Sequence, residues 1–135
     1  MERLSCEYEA AVRRMDALLG VGRCCDLIAR NLWIGGRRAR AWVIDGYGKD
    51  EILERMCAFW LRLPPEELDG ITQMQAFIDR HVSFLESDVS EDVEEITTSV
   101  FLGKTLLLME GLRGGALIDA KSYPTRGVEE PADGK

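Results

Sequence analysis

Near its C-terminus the chain carries two apolar runs joined by a glycine turn, and this pair constrains the fold more than any other feature. The runs are TLLLME, residues 105–110, and GALIDAK, residues 115–121. Two stretches of strand length on either side of a short glycine-containing turn predict a β-hairpin. Because the first run is continuously apolar, its strand has to be covered by other parts of the chain.

An earlier segment repeats this arrangement. Residues 24–34 alternate in part between apolar and polar side chains and predict a strand over their second half, although a short helix over 24–30 fits the same pattern. Gly35-Gly36 is a hairpin-turn signal, and RRARAWVID, residues 37–45, alternates as a second strand. We predict an α/β fold with a small mixed sheet of about four strands in two hairpins, covered by four to five helices.

Several segments have the apolar spacing of helices that pack on a core. The widest apolar stripe follows residue 50 and predicts a helix largely sunk against its neighbours, ended by two prolines. A short extended piece is expected over 83–88, and Ser90 is expected to cap the helix after it. The predicted helices cover residues 4–19, 50–63, 72–82 and 91–101, with one further helical turn beginning at Pro65.

Charge and composition restrict the class of function. With 24 acidic and 17 basic residues the net charge is −7, which argues against nucleic-acid binding because no overall field attracts phosphate. No run of about 18 apolar residues is present, so no segment is expected to insert into a membrane. Four cysteines without a CxxC pair and a single histidine argue against a metal site, and no cofactor is predicted.

Three acidic residues at strand ends or turns are candidates for chemistry. Asp45, Glu110 and Asp119 could bind a cation or act as a carboxylate pair if they met in one cleft. For Asp45 the simpler interpretation is an Asx-type turn before Gly46. His81 could serve as a base or a ligand, but no serine or cysteine is placed to pair with it, so a structural role is favoured.

Two further motifs have both a structural and a functional interpretation. Arg37, Arg38 and Arg40 could grip phosphate or a partner's carboxylates, although a solvated hairpin end is the favoured interpretation. The segment LGKT, residues 102–105, ends like a phosphate-binding P-loop. That pattern fails because Thr98 stands where the first glycine belongs, and because the predicted order here is helix into strand.

The chain closes with SYPTRGVEEPADGK, residues 122–135, which has too little apolar surface to offset the entropy of ordering it. We therefore predict one domain over residues 1–121, followed by a linker or tail over residues 122–135. The residues alone leave open whether this segment ends the native protein or joins the domain to more chain.

Three stretches carry a pattern that extends over most of the chain. They are DLIARNLWIGGRRARAWVIDGYGKDEIL at 26–53, FWLRLPPEEL at 59–68 and LLLMEGLRGGALIDAKSYPTRGVEEP at 106–131. The pattern is a strand, a glycine turn, a second strand ending in Asp-Gly, a late hairpin, and then Tyr-Pro-x-Arg-x-x-x-Glu-Pro. It resembles the N-terminal region of the GerA spore-germination family. The positions that carry its two motifs are Asp45, Gly46, Tyr123, Pro124, Arg126, Glu130 and Pro131.

The resemblance implies a non-catalytic interaction or regulatory domain, with no catalytic residue and no cofactor to carry over. Family members continue into a second soluble subdomain and several transmembrane helices. Their soluble part lies on the cytoplasmic side of the spore inner membrane, which becomes the spore core. Members act in nutrient-triggered germination and let ions cross that membrane. The implied partners are the remaining subdomain and transmembrane part of the same chain, and other germination-protein subunits.

Two alternatives stay open. A small-ligand sensor would need a pocket between the helices and the sheet. A stand-alone enzyme would need Asp45, Glu110 and Asp119 in one cleft. We also expect residues 122–135 to be loosely held, with Arg126 and Glu129 or Glu130 contacting the part of the whole protein that follows.

Overall fold

The computed structural model describes residues 2–22, 26–44, 58, 60–82 and 86–119, and in them an antiparallel sheet lies between two layers of helix. The α-helices among the described residues are α1 (Tyr8–Leu19), α2 (Met74–His81) and α3 (Val93–Phe101). The strands are β1 (Leu27–Ile34), β2 (Arg37–Ile44), β3 (Glu86–Ser90), β4 (Thr105–Met109) and β5 (Gly115–Asp119). A 3-10 helix spans Pro65–Leu68, and residues 58, 60 and 61 are also helical.

Both predicted hairpins are confirmed. β1 pairs antiparallel with β2 through the Gly35-Gly36 turn, and β4 pairs antiparallel with β5. Both turn glycines have positive φ, 55° and 82°, which is the conformation that a two-residue hairpin turn requires and that glycine adopts without strain. β2 also pairs antiparallel with β4, so the two hairpins join into one sheet.

The α/β class is confirmed, but the details of the sheet differ from the prediction. The strand order is β1-β2-β4-β5-β3, with every neighbouring pair antiparallel, where we predicted a mixed sheet of about four strands. The additional strand is β3, expected only as a short extended piece over 83–88. Its sequence, ESDVS, contains one aliphatic residue, so no local apolar pattern marks it. Its pairing with β5, about thirty residues further along the chain, makes it a strand.

The sheet is buried on both faces by two separate apolar clusters. One cluster joins α1 and α3 to one face, which we call the α1/α3 face. The other joins Trp60, the 3-10 helix and α2 to the opposite face, the α2 face. All five residues of β4 are buried, as the continuous apolar run requires. Each fully buried aliphatic side chain stabilises the fold by about 1.5–3 kcal/mol, so β4 contributes strongly to both layers.

The ends of the helices follow from local hydrogen bonds. α1 ends at Gly20, whose φ of 76° is left-handed and whose N–H donates to the Asp16 carbonyl at 3.1 Å. α3 is capped by Asp92, which accepts from the Glu94 N–H at 3.0 Å, so the prediction of Ser90 as the cap was wrong. The helix starts two residues later than expected. The main chain at this point is bonded to the N-terminal segment: Leu4 N–H donates to Glu91 O at 2.7 Å, and Val93 N–H donates to Glu2 O at 2.9 Å.

The predicted helix over residues 50–63 lies mostly outside the described residues, as does the whole of the predicted tail, 122–135. Within the described part of the chain, no helix combines the length and the apolar character needed to cross a membrane.

Candidate functional site

Arg37, at the start of β2, binds main-chain carbonyl groups of its own domain. Its Nη2 donates to Leu68 O at 3.1 Å, and its Nη1 donates to Ile71 O at 3.2 Å and to Glu110 O at 3.4 Å. These three carbonyls belong to the last residue of the 3-10 helix, to the segment after it and to the turn after β4. Arg37 therefore ties two loops to the first hairpin, and its guanidinium donors face protein carbonyls instead of solvent anions.

Arg38 bridges helix and sheet through two carboxylates. Its Nη1 lies 2.8 Å from Glu9 Oε2 on α1, and its Nη2 lies 3.0 Å from Glu110 Oε2. The guanidinium also sits over the Tyr8 ring, 5.1 Å from the centroid. Hydrogen bonds from Arg38 lower the pKa of both Glu110 and Glu9, so both carboxylates stay ionised at neutral pH.

Arg40 forms a second bridge between α1 and β2, deeper in the sheet. Its Nε donates to Asp16 Oδ1 at 3.1 Å, and its Nη1 donates to Asn31 Oδ1 at 2.8 Å. The indole Nε1 of Trp42 donates to the same Asp16 oxygen at 2.9 Å. The arginines of β2 therefore bind carbonyls and carboxylates of the domain itself, with the Arg38 side chain still 40% exposed, and together they join α1 and two loops to the sheet.

The three acidic candidates do not form a catalytic set within the described residues. Glu110 follows β4 and binds Arg38, whereas Asp119 ends β5 and is in register with Glu86 of β3. Because Thr105 is opposite Ile118 in the β4–β5 hairpin, Glu110 and Asp119 lie at its opposite ends, roughly 20 Å apart along the strands. Asp45 lies outside the described residues.

His81 has a structural environment. It is buried on the α2 face, and its ring lies 5.3 Å from the Phe77 ring. Its Nε2 lies 3.9 Å from Glu67 Oε1 and has no hydrogen-bond partner in the described part of the chain, and the same holds for Nε1 of buried Trp60. Burial lowers the pKa of His81, with Arg80 acting in the same direction and Glu67 against it. The imidazole is therefore neutral at pH 7.

Among the surface depressions formed by the described residues, we consider two that flank the sheet. A cleft of about 520 Å³ at the β3 edge is lined by Asp79 of α2 and by Glu86, Asp88 and Asp119, with Lys104 Nζ 3.9 Å from Asp88 Oδ2. Within residues 2–22, 26–44, 58, 60–82 and 86–119, no group of three or more histidine, cysteine or acidic side chains is placed to hold a metal ion.

The second depression is a groove of about 430 Å³ between α1 and β1. The helix supplies Tyr8 and Val12, and the strand supplies Asn31 and Trp33, whose surface is 59% exposed. We refer to it as the α1–β1 groove. No local pattern in the sequence marks this groove or the role of Asp16, because both depend on α1 contacting strand residues that are 15 or more positions away in the chain.

The family-motif positions lie outside the described residues and remain predictions. They are Asp45, Gly46, Tyr123, Pro124, Arg126, Glu130 and Pro131.

Comparison with known proteins agrees with the sequence pattern. The family model described as Bacillus/Clostridium GerA spore germination protein matches residues 14–135. The chain is 26% identical over 117 residues to spore germination protein B1 of Bacillus subtilis (strain 168), covering 83% of this chain and 23% of that protein.

A solved structure has a similar fold. It is the N-terminal domain of the A subunit of the Bacillus megaterium spore germinant receptor GerK3, with a TM-score of 0.70 and 15% identity, covering 87% of this chain and 48% of that one. This chain therefore spans about a quarter of the curated relative and about half of the solved domain. Because the family model matches most of the sequence, the predicted resemblance is confirmed, and the chain belongs to the GerA family of spore germination proteins.

Proposed function

We propose that this chain is the N-terminal interaction or regulatory domain of a spore germination membrane protein, and that it catalyses no reaction itself. The observation that carries the proposal is the GerA match over residues 14–135, together with a fold similar to a germinant-receptor N-terminal domain.

The polar contacts of the domain support a non-catalytic role. Arg37, Arg38 and Arg40 bind carbonyls and carboxylates of the domain itself, so they hold its layers together. Glu110 and Asp119 are at opposite ends of a hairpin. A catalytic site needs groups that converge within hydrogen-bond reach of one reacting atom, and these groups do not.

We further propose that the domain stands on the cytoplasmic side of the spore inner membrane, the side that becomes the spore core. There it would be joined to a second soluble subdomain and a transmembrane part, and would contact other germination-protein subunits during ion release. The motif around Tyr123 and Pro131 favours the stage V sporulation protein AF type within the family. The relative's greater length supports the further chain, since the match covers 23% of it.

The proposal is tested in the sporulating host by deleting the codons for residues 1–121 in frame. We expect slower ion release from spores exposed to nutrients, because the assembly loses a positioning domain. Asp119→Asn is the matched control and is expected to leave the rate unchanged, since no reaction depends on that carboxylate. Unchanged germination after the deletion, or a reading frame that closes at codon 135, would contradict the proposal.

A small-ligand sensor is the second candidate, and the acid-lined cleft at the β3 edge is the observation that favours it. A sensor for small cationic molecules would raise its melting temperature on binding. A saturable rise that is lost in Asp88→Asn would favour this function over the first.

A further inference from the structure

The α1–β1 groove lies beside the less protected of the two sheet edges. β1 and β3 are the outer strands. β3 is five residues long and carries Glu86 and Asp88, and charged side chains of this kind discourage the pairing of another strand. β1 is eight residues long and carries one charged residue, Arg30. Among the described residues, β1 is therefore the longer and less charged of the two edges.

Trp33 makes this edge apolar. On the α1/α3 face, Ala29 is partly buried against α1 and its neighbours, but further along β1 the helix leaves Asn31 and Trp33 exposed. Tyr8 and Val12, both partly buried, supply the helical side of the groove. A tryptophan that is 59% exposed next to two further apolar walls has the composition of an interface anchor.

The rim of the groove is polar. Arg13 and Arg38 line it together with Glu9 and Asn31. Because Arg38 already binds Glu9 and Glu110, Arg13 is the rim residue beside which an acidic or polar side chain of an occupant would be placed.

The size of the groove favours an occupant that is covalently attached. A volume of about 430 Å³ accepts only a few side chains. A tethered segment has an effective concentration on the order of millimolar, so a small groove is sufficient to hold it. In the relatives such chain exists, since the similarity covers 48% of the GerK3 N-terminal domain and 23% of protein B1.

We propose that the α1–β1 groove is the docking site for a segment of the same polypeptide that follows this domain, with Trp33 as its anchor. The inference rests on the proposed function, which requires the domain to be part of a longer chain. It adds the surface through which the domain contacts that chain. The segment would place an apolar side chain over Trp33 and an acidic or polar one beside Arg13.

Hydrogen–deuterium exchange tests this by comparing the 135-residue chain with a longer polypeptide that continues to the first membrane span. We expect amide exchange in β1 and in the first two turns of α1 to slow by about tenfold or more in the longer polypeptide. Phe101 and Leu102, which are also exposed, lie at the end of α3 and serve as the reference surface. Their segment should exchange equally in both.

Two variants of the longer polypeptide separate docking from folding. Trp33→Ala should remove the added protection, and Arg13→Glu, at an exposed helical position, should weaken it. Phe101→Ala is the matched control and should keep it. Circular dichroism confirms that each variant is folded.

Equal exchange of the groove in both polypeptides would overturn the proposal. So would protection that depends on protein concentration, which indicates a second copy, or protection that appears only when another subunit is added. Each of these outcomes leaves the germination phenotype of the deletion intact, so failure of this inference is distinguishable from failure of the proposed function.

Discussion

At the scale of single residues, one carboxylate oxygen joins α1 to the sheet. Asp16 Oδ1 accepts from the Arg40 guanidinium and from the indole of Trp42, which is fully buried. A buried indole N–H without an acceptor loses its bonds to water and gains nothing in return. Sequence analysis placed Asp16 within a helix but could not identify its partners, because they lie 24 and 26 residues away.

Asp16→Ala should therefore destabilise the domain by about 2–3 kcal/mol, since it leaves the Trp42 indole and the Arg40 charge without their acceptor. The free energy of unfolding from a urea titration measures this. Glu2→Ala is the control, because Glu2 and Arg14 form an ion pair on the exposed surface and its removal should leave the urea midpoint unchanged. Equal midpoints for both variants would contradict the bridging role of Asp16.

His81 gives the domain a pH dependence of known sign. Its pKa is lowered in the folded state, so the native protein binds fewer protons than the unfolded chain between the two pKa values. The stability associated with the neutral imidazole is fully present above the unfolded pKa of about 6.5 and falls as the pH decreases towards the folded pKa.

His81→Phe keeps a ring against Phe77 but cannot be protonated. We expect the variant to become more stable relative to the wild type as the pH falls from 7.5 to 5, measured as the difference in urea midpoint. Arg80→Ala retains the imidazole and should keep the sign of the pH dependence with a smaller amplitude, because Arg80 also lowers the pKa of His81. A constant difference across this range would show that His81 has the same pKa in the folded and unfolded states.

At the scale of elements, local sequence signals located both hairpins but not the contacts between elements. The Gly35-Gly36 turn and the apolar run of β4 can each be recognised from a few consecutive residues, and both predicted hairpins are confirmed. β3 was not recognised as a strand because it has a single aliphatic residue, and pairing with β5 defines it. The turn after β4 is likewise held by a distant residue, Arg37.

Gly111 connects that turn to Arg37. It has a φ of 84°, and a Cβ built on it would lie 2.8 Å from Arg37 Nη1. Gly111→Ala should cost the strain of a left-handed alanine, about 1 kcal/mol, and in addition weaken the bonds of Arg37 to its carbonyls. The free energy of unfolding of each variant measures the total cost.

Gly22→Ala measures the backbone strain alone, so the difference between the two variants gives the cost of the contact with Arg37. Gly22 has nearly the same φ, 86°, but no described atom within 4 Å of the added Cβ. We expect the Gly111 variant to be the less stable, and the two costs to become equal when Arg37 is first replaced by Ala. Equal costs with Arg37 present would contradict the contact.

At the scale of the whole molecule, two apolar layers enclose the sheet and leave one tryptophan outside. Trp42 lies in the α1/α3 cluster and Trp60 in the α2 cluster, with exposures of 0% and 1%, against 59% for Trp33. The sequence pattern does not distinguish the three tryptophans from one another. Trp33 is exposed because of where α1 lies relative to β1.

Acrylamide quenching of tryptophan fluorescence tests this arrangement. We expect two populations in the wild type, one quenched readily and one protected from the solute. Trp33→Phe should remove the readily quenched population and leave the stability unchanged, because the replaced ring is largely in water. A readily quenched signal that persists in Trp33→Phe would mean that one of the two cores is open.

The sequence by itself determined the α/β class, the two hairpins, three of the helices and the family. These follow from patterns within short stretches, namely apolar periodicity, glycine turns and the motifs of the GerA family. The tertiary structure alone decided the strand order, the partners of the β2 arginines, the separation of Glu110 from Asp119, and the exposure of Trp33. Each of these depends on which distant segments pack together. The free energy of packing comes from contacts throughout the core, so no single segment of the sequence determines it.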